Sequence, residues 1–78
     1  MMNIHELDIQ PGELYQHYKT KTVYEVLELG LQEHSLEPCI IYKALSNDST
    51  VWVRNVSSWI ETVDVAGKQV PRFKKKSR

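Results

Sequence analysis

Short runs of alternating apolar and polar residues, separated by turn-forming clusters, make up most of this chain. β-branched and aromatic side chains at every second position are typical of half-buried strands. The segment 22–31 also fits an amphipathic helix, but its β-branched start and its neighbours favour a strand. The pattern predicts strands over residues 14–19, 22–31, 38–45 and 50–54, and a hairpin of residues 61–65 and 68–73 around Ala66-Gly67.

One segment departs from the strand pattern. Serines able to cap a helix precede Trp59, Ile60 and an acidic residue, which predicts a single helical turn over residues 57–61. Pro71 cannot donate a backbone hydrogen bond, so we expect the last strand to lie at an edge. About five short strands and one helical turn predict a mainly β fold, a small SH3-like antiparallel barrel.

The length and composition fit one small globular domain. The chain has 78 residues, of which 41% are hydrophobic and 26% are charged. We expect an N-terminal lead-in over residues 1–11, a single barrel domain over residues 12–73 and a basic tail over residues 74–78. So small a domain has a thin core, which disfavours a deep enclosed active site and favours a groove or a surface patch.

The formal net charge is zero, but the charges are unevenly distributed. Residues 68–78 carry six basic side chains and no acidic one, which leaves residues 1–67 with 4 basic and 10 acidic side chains, a net charge of −6. Phosphates of a nucleic acid are candidate partners for the basic run, although a short run offers few contacts and the acidic body repels them. The alternative is a solvated tail. The candidate phosphate contacts are Lys74, Lys75, Lys76 and Arg78.

Cys39 is the single cysteine, so no internal disulfide can form. Its apolar neighbours favour a buried structural thiol over a reactive one. The lack of a disulfide, of a signal-peptide pattern and of a membrane-length apolar segment predicts a cytoplasmic protein without membrane contact. The histidines lack the paired spacing of zinc sites and the glycines are scattered, so we expect neither a metal nor another cofactor.

Several motifs occur in order along most of the chain: Gly-Glu-Leu-Tyr-Gln-His-Tyr-Lys at 12–19, Tyr-Glu-Val-Leu at 24–27, His-Ser at 34–35, Tyr-Lys-Ala-Leu at 42–45, Trp-Val-Arg at 52–54 and Val-Pro-Arg-Phe at 70–73. Together they resemble the bacterial family called domain of unknown function 1653. The chain departs from that pattern at Asn55, at Ser58-Trp59 and in a shortened turn at 34–37. The resemblance implies a compact single domain and gives no reaction.

The candidate binding surface combines Tyr15, His17, Glu25, Trp52 and Arg54. Strand alternation puts Tyr15 with His17 on one face, and Trp52 with Arg54 on one face, opposite the two valines of the fourth strand. If those valines enter the core, Trp52 and Arg54 face outward, where an aromatic ring beside a guanidinium can bind an anion or stack on a partner. The alternative is that Trp52 packs below the lead-in and Arg54 pairs with an acid such as Glu25.

Three functions are consistent with this surface, in decreasing order of preference. The first is a non-enzymatic binding module for an unidentified protein, peptide-like or anionic partner. The second is binding of single-stranded nucleic acid by the same surface and the basic tail. The third is an enzyme in which His17 acts as a general base with Glu25 or Tyr15. A monomer and a homodimer formed through an edge at Ile40-Ile41 or Pro71 are both open.

Overall fold

The computed structural model describes residues 8–46 and 50–76. Within these ranges the elements are β1 (Leu14–His17), β2 (Val23–Leu31), β3 (Pro38–Ala44), β4 (Val51–Asn55), α1 (Val56–Trp59), β5 (Thr62–Val65), β6 (Lys68–Pro71) and β7 (Phe73–Lys76). Five strands form an antiparallel sheet in the order β4-β3-β2-β1-β7, and β5 pairs with β6 in a separate hairpin. The predicted mainly β fold, with its antiparallel sheet and single helical turn, is confirmed.

The five-stranded sheet is not closed into a complete barrel, because β4 and β7 are its two edges and do not pair with each other. The register of β2 against β3 shifts between Val26 and Glu28, which marks a bulge. A bulge bends its strand and increases the local twist. The sheet therefore has one face that encloses the core together with α1, and we call this face the inner face.

The core lies between the inner face and α1. Trp59 of α1 is 2% exposed and stacks on the Phe73 ring at a centroid distance of 3.8 Å. Two tyrosine rings of the sheet meet the Trp59 ring edge-on at centroid distances of 5.3 and 4.9 Å. One member, Ile9, comes from the predicted lead-in. The buried cluster consists of Ile9, Tyr15, Val26, Ile40, Tyr42, Val56, Trp59 and Phe73.

The segment predicted as one strand over residues 68–73 is divided into β6 and β7 by a bend at Arg72. Pro71 ends β6 and cannot donate to a ladder. The Arg72 backbone N–H donates to the carbonyl of Glu61 at 3.0 Å, and the Arg72 carbonyl accepts from the N–H of Tyr18 at 2.9 Å. These two bonds fix the place where the chain passes from the hairpin to the sheet.

Residues 74–76, predicted as part of a basic tail, instead belong to β7 and pair with β1. The physical reason is that this pairing satisfies the backbone of β1, and that it brings the ammonium of Lys75 to 3.1 Å from a carboxylate oxygen of Glu13. The prediction for Arg78 concerns a residue outside the described ranges.

Strand β3 lies between β2 and β4, so Ile40-Ile41 is not at a sheet edge. The homodimer predicted through Ile40-Ile41 therefore has no free strand edge there. Cys39, also on β3, is buried, as its apolar neighbours predict. Among the described residues, no helix is long and apolar enough to cross a membrane.

Candidate functional site

Trp52 and Arg54 lie on the inner face of the edge strand β4, which reverses the orientation expected if the valines enter the core. Tyr42 is the register partner of Trp52, and Ile40 is the partner of Arg54, and both partners are buried. The two valines of β4 are 53% and 58% exposed. Trp52 is still 49% exposed, consistent with its place on an edge strand. The aromatic ring and the guanidinium therefore share the inner face at its open side.

Arg54 reaches across the inner face toward α1. Its Nη1 donates a hydrogen bond to the Ser58 hydroxyl at 3.0 Å, and its Nε donates to the Tyr42 hydroxyl at 3.5 Å. The guanidinium carbon lies 5.2 Å from the centre of the Phe73 ring. In the described part of the chain, Arg54 forms no ion pair with a carboxylate. Hydroxyls and a ring thus orient the guanidinium without neutralising its charge.

His17 ends β1 on the same face. Its ring meets Phe73 edge-on at a centroid distance of 5.0 Å, and its Nδ1 accepts a hydrogen bond from the Lys19 backbone N–H at 3.2 Å. This bond assigns the proton of the neutral ring to Nε2. Burial lowers the pKa of His17 below its ordinary value, and the positive charges of Arg54, Arg72 and Lys19 lower it further. His17 is therefore set among cations.

Arg72 adds a second guanidinium beside His17. Its Nη2 lies 3.5 Å from a carboxylate oxygen of Glu61, whose side chain is more than half exposed. The Arg72 Nε is buried and has no hydrogen-bond partner among the described residues. Because an ion pair with an exposed carboxylate is screened by water, it neutralises Arg72 only in part.

A groove of about 380 Å³ opens beside His17, between β1 and the β5–β6 hairpin. The hairpin supplies an apolar wall of two valines and a proline. Lys21 and Lys74 contribute ammonium groups, and no acidic side chain lines the groove. The groove is therefore cationic. Lys74 and its register partner Gln16 lie on the outer face, since each alternates with a buried inner-face residue. Its lining residues are Gln16, His17, Tyr18, Lys21, Val65, Val70, Pro71 and Lys74.

The structure does not bring Tyr15 and Glu25 into this site. Tyr15 is buried in the core, and its hydroxyl donates to a carboxylate oxygen of Glu13 at 3.3 Å. Burial and the nearby Glu13 charge raise the pKa of Tyr15 well above its ordinary range. Glu25 lies on the outer face, with Leu14 as its register partner. In the described part of the chain, no hydrogen bond joins either residue to His17.

The lysines predicted to contact phosphates occupy different environments. Lys74 lines the groove, and Lys76 is exposed on β7. Lys75 faces the other way and is engaged by Glu13, and this hydrogen bond raises the pKa of Lys75. Of the three, Lys74 is the one beside His17.

Sequence reasoning missed Arg72, Ser58 and Lys21. Lys21 has a φ of +64°, in the left-handed region, and such turn geometry is not apparent from a lysine between two threonines. Arg72 is part of the Val-Pro-Arg-Phe motif, but its approach to His17 depends on the bend between β6 and β7. Ser58 was assigned only a capping role, whereas its hydroxyl holds Arg54.

Comparison with known proteins identifies the family. A family model described as "Protein of unknown function (DUF1653)" matches residues 13–75. The chain belongs to this family. A crystal structure of a DUF1653 protein from Bordetella bronchiseptica is similar to it, with 32% sequence identity, a TM-score of 0.72 and 86% of each chain covered. None of the curated proteins compared with this DUF1653 chain matches it. The resemblance inferred from the sequence motifs is confirmed.

Proposed function

We propose that this protein is a non-enzymatic binding module that holds an anionic, peptide-like partner on the inner face of its sheet. The observation that carries the proposal is the uncompensated charge at Arg54. The guanidinium is fixed by two hydroxyls and lies close enough to His17 to lower the pKa of that residue. A carboxylate or phosphate at this point meets a preorganised fork of donors.

Trp52 provides an apolar surface next to this charge. It lies two residues from Arg54 on the same face of β4, so the indole and the guanidinium are roughly 7 Å apart along the strand. Half-exposed tryptophan beside arginine is typical of residues that anchor a protein interface. This pair favours a partner that carries both an anionic group and an apolar side chain.

The groove favours an elongated partner over a single small anion. The groove begins at His17, whose pKa is lowered by Arg54, and it adds the ammonium groups of Lys21 and Lys74 beside the apolar wall of the hairpin. An acidic peptide segment in an extended conformation combines charged and apolar groups over such a distance. We therefore favour a peptide segment rich in carboxylates.

Single-stranded nucleic acid is the second candidate, and the position of Lys74 in the groove favours it. Two features weigh against it. Trp59 and Phe73 are buried against each other, so they offer no face to a stacked base, and Lys75 is already engaged by Glu13. Trp52 alone among these rings is half-exposed.

The test is an NMR titration of the ¹⁵N-labelled protein at low and moderate salt. The probes are an acetylated glutamate hexapeptide, a mixed-sequence RNA hexamer and a serine hexapeptide as the neutral control. We expect the glutamate peptide to shift the Arg54 Nε–H, the Trp52 indole N–H and the His17 amide. Arg54→Gln should abolish the shifts of the Trp52 indole N–H and the His17 amide. Lys43→Gln, which removes one positive charge from the outer face, should preserve them.

Each probe separates one alternative. Stronger binding of RNA, with shifts at Lys74 and a steep dependence on salt, would replace the peptide by a nucleic acid. Equal shifts with the neutral peptide would show that charge is not what the surface recognises. The absence of inner-face shifts with all three probes would refute the proposal.

A further inference from the structure

Strand β4 is an edge strand of the five-stranded sheet. It pairs with β3 on one side, and in the described part of the chain no strand pairs with its other side. Natural edge strands are commonly blunted by proline, lysine or a bulge, because unpaired N–H and C=O groups attract another strand. The β4 sequence Val-Trp-Val-Arg-Asn contains neither proline nor lysine, and its pairing with β3 shows no register shift. Its one charged side chain, Arg54, is held within its own copy by Ser58 and Tyr42. Its first three side chains are all substantially exposed.

We propose that β4 pairs antiparallel with β4 of a second copy, with Val53 opposite Val53 at the two-fold axis. In this register Trp52 of each copy lies opposite Arg54 of the other, and Val51 lies opposite Asn55. All five residues of the strand are then paired. The two five-stranded sheets join into one sheet of ten strands, which removes both β4 edges.

Self-complementarity is what identifies a second copy as the occupant. The central pair buries two exposed β-branched side chains against each other on the outer face, which is a favourable cross-strand pair. On the inner face, Trp52 of each copy lies opposite Arg54 of the other, so neither like charges nor two indoles are opposed. A single strand thus supplies both halves of each favourable pair.

The neighbouring registers are less favourable. Directly opposed residues of an antiparallel pair have their side chains on the same face of the sheet. The two-fold axis must therefore lie between two copies of the same residue, and not between a residue and its neighbour in sequence. An axis at Arg54 opposes two like charges, which is destabilising. An axis at Trp52 opposes the two indoles and leaves both Arg54 and Asn55 beyond the end of the partner strand, so fewer β4 residues pair. The central position of Val53 gives the full overlap.

This inference goes beyond the proposed function and does not rest on it. The two inner faces lie on the same side of the joined sheet, because a two-fold axis perpendicular to a sheet exchanges strands without exchanging faces. The anionic partner sought at Arg54 and the second copy sought at the β4 backbone are therefore tested by separate experiments.

Disulfide trapping tests the register directly. Val53→Cys puts the two new thiols on opposed residues, whose Cα atoms are about 4.5–5.5 Å apart in an antiparallel pair, within the range of a disulfide. Val51→Cys is the matched control on the same strand and face, because in this register its two copies are about 13 Å apart along the strand. Ile60→Cys is the control for an exposed residue outside β4. The native Cys39 is buried and stays in all three variants.

Under oxidised glutathione, we expect the Val53→Cys dimer to form at least about tenfold faster than either control dimer, because self-pairing raises the local thiol concentration. Equal rates for the three variants, or a faster rate for Val51→Cys, would refute this register. Sedimentation of the unmodified protein should show a monomer–dimer equilibrium that Val53→Lys shifts to monomer, with a far-UV circular dichroism spectrum unchanged from that of the unmodified protein. A wild-type protein that is monomeric throughout, or a Val53→Lys protein that still dimerises, would refute the self-pairing.

Discussion

Replacement of Trp59 by alanine should remove a large part of the free energy of unfolding. The Trp59 ring is almost fully buried, stacks on Phe73 and meets two tyrosine rings edge-on. Truncation of a buried aromatic residue to alanine costs about 3–5 kcal/mol. A domain of this length has roughly 4–12 kcal/mol in total, at about 0.05–0.15 kcal/mol per residue. We expect the loss to lie in the upper part of the 3–5 kcal/mol range, because three ring contacts disappear together.

A second variant separates ring packing from side-chain volume. Trp59→Phe retains a ring that can stack on Phe73 and removes the indole N–H, which is buried without a hydrogen-bond partner among the described residues. An unpaired buried donor costs about 1–3 kcal/mol, so its removal offsets part of the lost contact area. We expect Trp59→Phe to lose less than about 2 kcal/mol on this ground. Ile60→Ala, at the exposed neighbouring position, should change the stability by at most about 0.5 kcal/mol.

The assay is urea unfolding followed by far-UV circular dichroism, since the substitutions themselves alter the tryptophan fluorescence. Unfolding midpoints at an unchanged m-value report stability. If Trp59→Ala cost no more than Ile60→Ala, the stacked cluster would not hold the sheet and α1 together. A loss for Trp59→Phe equal to that for Trp59→Ala would show that ring stacking is not the source of the stability.

Three further predictions concern the site and the hairpin. The pKa of His17 should lie below 6.5 in a ring-proton NMR titration. Because the unfolded chain then binds the proton more readily than the folded protein, the free energy of unfolding is highest above pH 6.5 and falls as the pH drops through the folded pKa. His17→Gln should remove this pH dependence. Relative to its quenching of free N-acetyltryptophanamide, iodide should quench Trp52 fluorescence more strongly than caesium does, because the anion is attracted to Arg54. Trp52→Phe should abolish this difference, and stronger normalised quenching by caesium would contradict the cationic surface. Ala66 has a φ of +52° and precedes Gly67 at +83°, so Ala66→Asn should raise the stability by up to about 1 kcal/mol in a thermal melt, and a lower melting temperature would contradict this turn geometry.

The strands and their turns could be predicted because the signals are local. The Ala66-Gly67 pair joins β5 and β6 with Val65 opposite Lys68, the two-residue connection that glycine permits. The alternation in β2 and β3 gave the strand type and the approximate bounds. The bend at Arg72 was not predictable, because it is fixed by hydrogen bonds to Glu61 and Tyr18, which are distant in sequence.

The orientation of β4 shows why the site was only partly predictable. Alternation separates Trp52 and Arg54 from the two valines, but it does not state which face meets the core. The condition that the two valines enter the core is not met, because they are more than half exposed. The position of α1 determines which face of β4 meets the core, because the Ser58 hydroxyl of α1 accepts a hydrogen bond from Arg54 and Trp59 of α1 stacks on Phe73. Such a contact between α1 and the sheet is tertiary and leaves no local signal.

The net charge of −6 over residues 1–67 argues against a nucleic acid unless the acidic side chains face elsewhere, and the fold shows where several of them lie. Glu13 is paired with Lys75, Glu25 is on the outer face, and Asp64 accepts a hydrogen bond from the backbone of Gly67 in the hairpin turn. Charges interact over about 10 Å at 0.1 M salt, so the local arrangement at Arg54 decides what binds there, whereas the net charge acts at longer range. The net negative charge of residues 1–67 then slows the approach of an anion without opposing its final contact at Arg54. Added salt should therefore change the association rate of the glutamate peptide less than it would for a nucleic acid bound by many phosphates.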